Sequence, residues 1–275
     1  MKILLIDRED ITARLIKSRL EPLGHSITVE PSKNDAVDLL SSEPHDMIFL
    51  DPAPLTSARP LVLNIRRSVG NYPYVVLMGD VCDLPEAIKA GANDCIAKPM
   101  DPIEVDEKVQ NAAFFSKLVR RIGDDSEDFP SAGGVIAKSA FNQLFLSAID
   151  RADRYGERSF VLFISIDNYS HIYQTEGPYA ADYIVAKLCQ YLVRWRRQSD
   201  IIGQTSAHEY ALLLQRPVYE TEPGEAANRF AQAITGCKEL FEVDGGVKPV
   251  ISVTLVDLPV GSRPATYKID PSGKE

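Results

Sequence analysis

The sequence predicts two domains in tandem, an α/β domain with a doubly wound parallel sheet followed by an α+β domain. Three observations carry this. Short apolar runs alternate with helix-period segments through residue 122. An acidic stretch bearing Gly and Pro, GDDSEDFPSAGG (123–134), then interrupts every pattern. Beyond it helices and strands come in mixed order, with a hairpin between two helices. The 275 residues suffice for two cores of ordinary size.

In the first domain the strands are ILLI (3–6), SITV (26–29), MIFL (47–50), YVVLM (74–78) and CIA (95–97). Amphipathic segments at 12–20, 35–40 and 85–90 lie between them and imply βαβ crossovers. In such sheets function gathers at the carboxyl ends of the strands, so Asp7, Asp51, Gly79 and Lys98 are the residues to inspect. Residues 101–122 read as one long helix, with Val105, Val109, Ala112 and Phe115 near helical spacing.

The second domain predicts a helix over 138–155, a strand over 159–167 and a helix over 180–197. A hairpin follows (201–206 with 209–215), then a helix over 223–235 and a strand over 248–258. This order fits a ferredoxin-like palm. The tail, GSRPATYKIDPSGKE, lacks helical pattern and reads as loose. The expected division is therefore 1–122, a linker at 123–134, and 135–275.

Composition narrows the function. Hydrophobic content of 45% and charged content of 25% are those of a globular protein in water. A net charge of −9 argues against a broad surface for DNA or RNA, yet permits a local anion pocket. The four cysteines are scattered without a C-x-x-C pair, so neither a zinc site nor a disulfide framework is expected. No apolar run reaches the roughly 18 residues of a membrane span, and MKILLIDRED reads as a buried strand rather than an export signal. The expectation is a cytoplasmic, reducing compartment, with no membrane partner.

Through ILLID, MIFLD and GANDCIAKP, residues 1–122 resemble the response-regulator receiver domain, a flavodoxin-like fold. The resemblance implies that Asp51 is the phosphoacceptor position, Lys98 the phosphate-holding Lys, and Asp7 the first acid of a metal-binding pair. Such transfer needs a nucleophilic carboxylate and a divalent metal. The second acid is Arg8 here, which cannot ligate a metal, and Glu9 or Asp10 would have to reach back to substitute for it. Met78 stands where the family has a switch Ser or Thr. One reading is phosphorylation at Asp51; the expectation is the other, a structural receiver that pairs domains without being phosphorylated. Its pocket would be metal-free and charge-balanced, with Arg8 joining Asp7, Asp51 and Lys98.

Through FISIDNY, EGPYAADYIVAKL, RRQSDIIG and SAHEYALLL, the second domain resembles the GGDEF domain of diguanylate cyclases, which make cyclic di-GMP from GTP. The resemblance implies two metal-binding carboxylates. Ser165 and His208 stand at those positions, and neither replaces a hard oxygen ligand for Mg²⁺. Ser206 and Ala207 replace the two hairpin glycines, so the turn geometry should differ. Glu209, Asp167 and Asp182 remain, Tyr173 replaces the guanine-reading Asn, and Gly177-Pro178 replaces Gly-His. A degenerate domain is expected, with no catalytic residues, no bound metal and no cofactor. His208 alone reads as a solvated turn residue.

The resemblance also implies a product-binding R-x-x-D site just upstream of the hairpin. Arg197 and Asp200 stand at its positions, and Arg229 on the next helix is a candidate second cation. Arg can offer a donor fork to phosphate or guanine, and Asp can accept from guanine N1–H and N2–H₂. The competing readings are an ordinary surface pair at i, i+3 and a motif inherited from an active ancestor but no longer used. The expectation is a bacterial two-component signalling protein, silent as an enzyme, that binds cyclic di-GMP as an effector or adaptor. Its receiver would supply a protein-partner or homodimer surface. The alternative is a scaffold that binds no nucleotide.

Overall fold

A computed structural model describes residues 1–69, 72–124, 126–131, 133–241 and 246–271. The chain forms two compact units. One comprises Met1–Arg121, Ile149–Glu157 and Pro259–Gly261; the other comprises Ile122–Ala148, Arg158–Leu258 and Ser262–Glu275. Residues 125 and 132 of the expected linker lie outside the described residues.

The first unit holds a parallel sheet of β1 (Lys2–Ile6), β2 (Ser26–Val29), β3 (Met47–Leu50), β4 (Tyr74–Gly79) and β5 (Asp94–Ala97), in the order β2-β1-β3-β4-β5. The inner strands are apolar throughout because both faces are covered. Leu4, Ile6, Ile48, Leu50 and Val75 pack with residues of α2 (Lys33–Ser42), α3 (Arg59–Ser68) and α4 (Leu84–Lys89). The alternate residues Ile3, Leu5, Phe49 and Val76 are equally buried, as are Ile16 of α1 (Asp10–Leu20) and Val105 and Ala112 of α5 (Pro102–Ile122). Helix α3 escapes the sequence reading. It begins in a Pro-bearing stretch, and Pro60 sits in its first turn, where a missing N–H costs nothing.

One expectation about this unit is corrected. Cys82 and Cys95 form a disulfide, with Cα atoms 5.4 Å apart. Sequence spacing hid the pair. Parallel pairing sets Leu77 beside Cys95, so the loop leaving β4 passes within reach of β5.

The second unit holds β6 (Ser159–Ile166), β7 (Ile201–Ser206), β8 (Glu209–Gln215), β9 (Ile251–Leu258) and β10 (Ala265–Ile269), ordered β10-β9-β6-β8-β7. Every neighbouring pair is antiparallel. The first four of these strands give the ferredoxin-like arrangement. Its helices are α6 (Lys138–Tyr155, of which the residues up to Ala148 belong to this unit), α7 (Tyr169–Glu176), α8 (Pro178–Trp195), α9 (Glu222–Gly236) and the short α10 (Lys238–Phe241). Ile184, Leu188 and Leu192 of α8 and Phe230 and Ile234 of α9 pack with Leu162, Ile164 and Leu212 of the sheet.

The tail is not loose where it is described. β10 pairs with β9 from Ala265↔Leu255 to Ile269↔Ile251. Ala265, Tyr267 and Ile269 alternate onto the core while Thr266 and Lys268 face water. That period-2 pattern spans too few residues to be read without its partner strand.

Gly203 in β7 marks a close approach. A Cβ there would lie 2.6 Å from the Cβ and Cγ of buried Phe141. Gly203→Ala is therefore expected to cost about 1–3 kcal/mol through overpacking. Urea unfolding followed by Trp195 fluorescence measures it, and an unchanged midpoint would contradict this packing.

Candidate functional site

The first group of candidate residues gathers at the carboxyl end of the parallel sheet. Asp7 follows β1, Asp51 follows β3 and Lys98 follows β5. Lys98 Nζ lies 2.5 Å from Asp51 Oδ2, 2.8 Å from Asp7 Oδ2 and 3.3 Å from Glu9 Oε2. Burial pushes the Lys98 ammonium down, but hydrogen bonds to Asp51 and Asp7 outweigh it and hold the pKa above the usual lysine value. The backbone N–H groups of Ala53 and Glu9 donate to the second oxygens of Asp51 and Asp7.

Arg8 is exposed and takes no part in this group. The charge-balanced pocket expected around it is thus corrected. With Asp7 turned inward at the strand end, its neighbour points out, where a guanidinium keeps its hydration. Glu9 reaches back instead, and three carboxylates surround one ammonium. Among the described residues no three His, Cys, Asp or Glu side chains are arranged to hold a metal ion. Met78 is buried at the neighbouring end of β4 and offers no hydroxyl.

The second group lies at the β7–β8 hairpin. Ser165 Oγ donates to Asp167 Oδ1 at 3.1 Å, and Ser252 Oγ donates to the same oxygen at 2.8 Å. Glu209 is buried, with Thr205 Oγ1 donating to its Oε1 at 2.6 Å. A register shift between Gln204 and Ser206 inserts Thr205 as an extra residue and sets up that contact. Among the described residues Arg216 is the one non-Gly residue with positive φ, so Ala207 and His208 turn the hairpin without the glycine conformation. His208 corrects its expected role as a solvated turn residue. Its ring is half-buried and stacks on Tyr169, with centroids 5.3 Å apart. A serine held by a carboxylate and a stacked imidazole do not fit a pair of hard divalent cations.

The third group is a cavity of about 70 Å³ lined by Arg197, Ser199, Asp200, Gln215, Glu222 and Arg229 among others. Arg197 and Asp200 flank the turn that joins α8 to β7. Asp200 N–H donates to Arg197 O at 3.0 Å, and Arg197 N–H donates to Asp200 Oδ2 at 2.9 Å. Asp200 is buried, its carboxylate 3.8 Å from an Arg229 guanidinium nitrogen. Arg229 Nε is buried without a hydrogen-bond partner.

Arg197 and Asp200 do not form with each other the side-chain ion pair of the competing reading. Arg197 instead directs Nη1 at Glu222 Oε1, at 2.8 Å. The second oxygen of Glu222 accepts from Val218 N–H at 2.9 Å. That backbone contact, with Arg197 adding to it against partial burial, holds the Glu222 carboxyl below the usual glutamate value. Sequence reasoning missed Glu222. Its signal was present: it precedes Arg229 by two helical turns and shares that face of α9.

The family described as "Diguanylate cyclase, GGDEF domain" matches residues 131–257. The chain joins a response-regulator receiver domain to a GGDEF domain. A probable transcriptional regulator, ycf27 of Guillardia theta, is 27% identical over 127 residues, covering 42% of this chain and 50% of the relative. The two-component response regulator PhoP of Pseudomonas aeruginosa is 27% identical over 112 residues, covering 40% and 50%. The chain spans about half the length of these curated relatives. Among solved structures, a two-component response regulator from Clostridium difficile is similar at TM-score 0.38 and 24% identity, covering 45% of this chain and 99% of that one. The GGDEF domain of YfiN (TpbB) from Pseudomonas aeruginosa is similar at TM-score 0.38 and 20% identity, covering 44% and 74%. In this receiver–GGDEF chain no described helix is long and apolar enough to cross a membrane.

Proposed function

We propose that this receiver–GGDEF protein is catalytically silent and binds cyclic di-GMP through Arg197, Asp200 and Arg229, acting as a signalling effector or adaptor. The observation that carries the reading is the cavity that gathers Arg197, Asp200 and Arg229, with the Asp200 carboxylate 3.8 Å from an Arg229 guanidinium nitrogen. The cavity is far smaller than a site that encloses a ligand of drug size. A dinucleotide would therefore lie across its mouth and place one phosphate or guanine edge inside. Arg197 and Arg229 would donate to that group, and Asp200 would accept from a guanine N–H.

Silence rests on the hairpin. Ser165 on β6 and His208 in the hairpin stand at the positions of the metal-binding carboxylates, and neither is a hard oxygen ligand for Mg²⁺. The receiver would serve as a surface for a protein partner or a second copy.

Titration calorimetry of the full chain with cyclic di-GMP tests the binding. Saturable heat at micromolar ligand is expected, and none at about 100 μM would end the reading. Incubation with GTP and Mg²⁺ or Mn²⁺ tests the silence, with no cyclic di-GMP expected; turnover would overturn it. A ligand-independent scaffold is the second reading, favoured by the Arg197–Glu222 ion pair that engages one of the two cations.

A further inference from the structure

The charges lining the cavity pose a problem for any anionic ligand. Its charged walls are Arg197 and Arg229 against Asp200 and Glu222, which sum to zero. A dianion gains nothing from approaching a neutral ring of charges. One of the two carboxylates must release its guanidinium for the site to become attractive.

The two acids are held differently. Asp200 is buried, and its carboxylate secures the turn by accepting from the Arg197 N–H. Removing it would undo the loop that presents Arg197. Glu222 is tied to Arg197 through an ion pair whose side chains are 32% and 55% exposed, so water reaches both. Exposed pairs of this kind are weak and open readily.

Glu222 also keeps partners when the pair opens. Its other oxygen accepts from Val218 N–H, and it stands at the start of α9, where the helix dipole favours an anion. Opening the pair therefore strands no charge on the protein. It frees the Arg197 donor fork for another anion, while Glu222 stays on its Val218 and helix-terminus contacts.

We propose that Glu222 is a built-in competitor for the ligand phosphate. Its carboxylate holds Arg197 in the ligand-free protein, and an anion binds as that ion pair is exchanged for a phosphate–guanidinium pair. A guanidinium presents the same fork to a carboxylate and to a phosphate, which is why one can stand in for the other. The inference rests on the ligand reading above and adds what regulates the affinity of that site. It makes Glu222 the determinant of how tightly the site binds.

The test is calorimetry on the full chain and its Glu222→Gln variant, with cyclic di-GMP and separately with inorganic pyrophosphate. The amide keeps an acceptor for Val218 N–H but loses the charge. Glu222→Ala, checked for folding by circular dichroism, serves as a second variant. Tighter binding of cyclic di-GMP by about three- to tenfold in both variants is the expected result. Unchanged or weaker binding in both would overturn the competitor role while leaving the ligand reading standing. If no protein binds cyclic di-GMP, the ligand reading fails and pyrophosphate decides. A gain in pyrophosphate affinity on removing the Glu222 charge would sustain the competitor, and no gain would overturn it.

Discussion

Arg197→Ala is expected to weaken cyclic di-GMP binding by about ten- to a hundredfold, the loss of charge-assisted hydrogen bonds worth about 1.5–3 kcal/mol. The backbone of Arg197 should stay in place, because its N–H is held by Asp200 and its carbonyl accepts from the Asp200 N–H. The variant thus removes the donor fork and spares the turn. It also releases Glu222, which keeps its contact with Val218 N–H. Calorimetry against the unaltered protein measures the change. Binding undiminished in Arg197→Ala would show that the ligand is held elsewhere. Asp200→Ala is a blunter instrument, since it removes the acceptor that secures the same turn.

Breaking the Cys82–Cys95 bond is expected to lower the stability of the receiver unit by about 3 kcal/mol, the chain-entropy value for a loop of this size. Cys82 is exposed and Cys95 is buried, so Cys82→Ser removes the crosslink with little loss of packing. Hydrogen-exchange mass spectrometry should show faster exchange through residues 79–97 in that variant. Unchanged exchange would mean that the crosslink adds nothing to this region. Thiol titration of denatured, unreduced protein is expected to count two thiols, Cys189 and Cys237. A count of four would contradict the bond itself.

Much of the architecture was legible from periodicity. The parallel strands of the receiver are continuous apolar runs because both faces are buried, and the notable end-of-strand residues could be named from that alone. Elements without such a signature went unseen. Helix α3 starts among prolines, α7 is a short polar helix, and β10 alternates over only five residues. Each depends on packing against a partner that a local window does not contain.

The sites divide along the same line. Asp7, Asp51 and Lys98 stand at strand ends, so topology alone brings them together. Their neighbours were not legible, because Arg8 and Glu9 follow one strand and their side chains choose opposite surroundings. Arg197 and Asp200 are close in sequence, and their turn follows from the end of a helix before a strand. Arg229 and Glu222 come from another helix, and what each faces depends on how α9 lies against the sheet.

By itself, then, the sequence determined two sheets, their order along the chain, and the residue types at the family's positions, since these follow from local periodicity and spacing. Only the tertiary structure decided which charges meet. It set Glu222 rather than Asp200 on the Arg197 guanidinium, left Arg229 Nε without a partner, and brought Cys82 to Cys95. Ion pairs and disulfides need geometry within a few ångströms, and that precision comes from packing between elements distant in sequence.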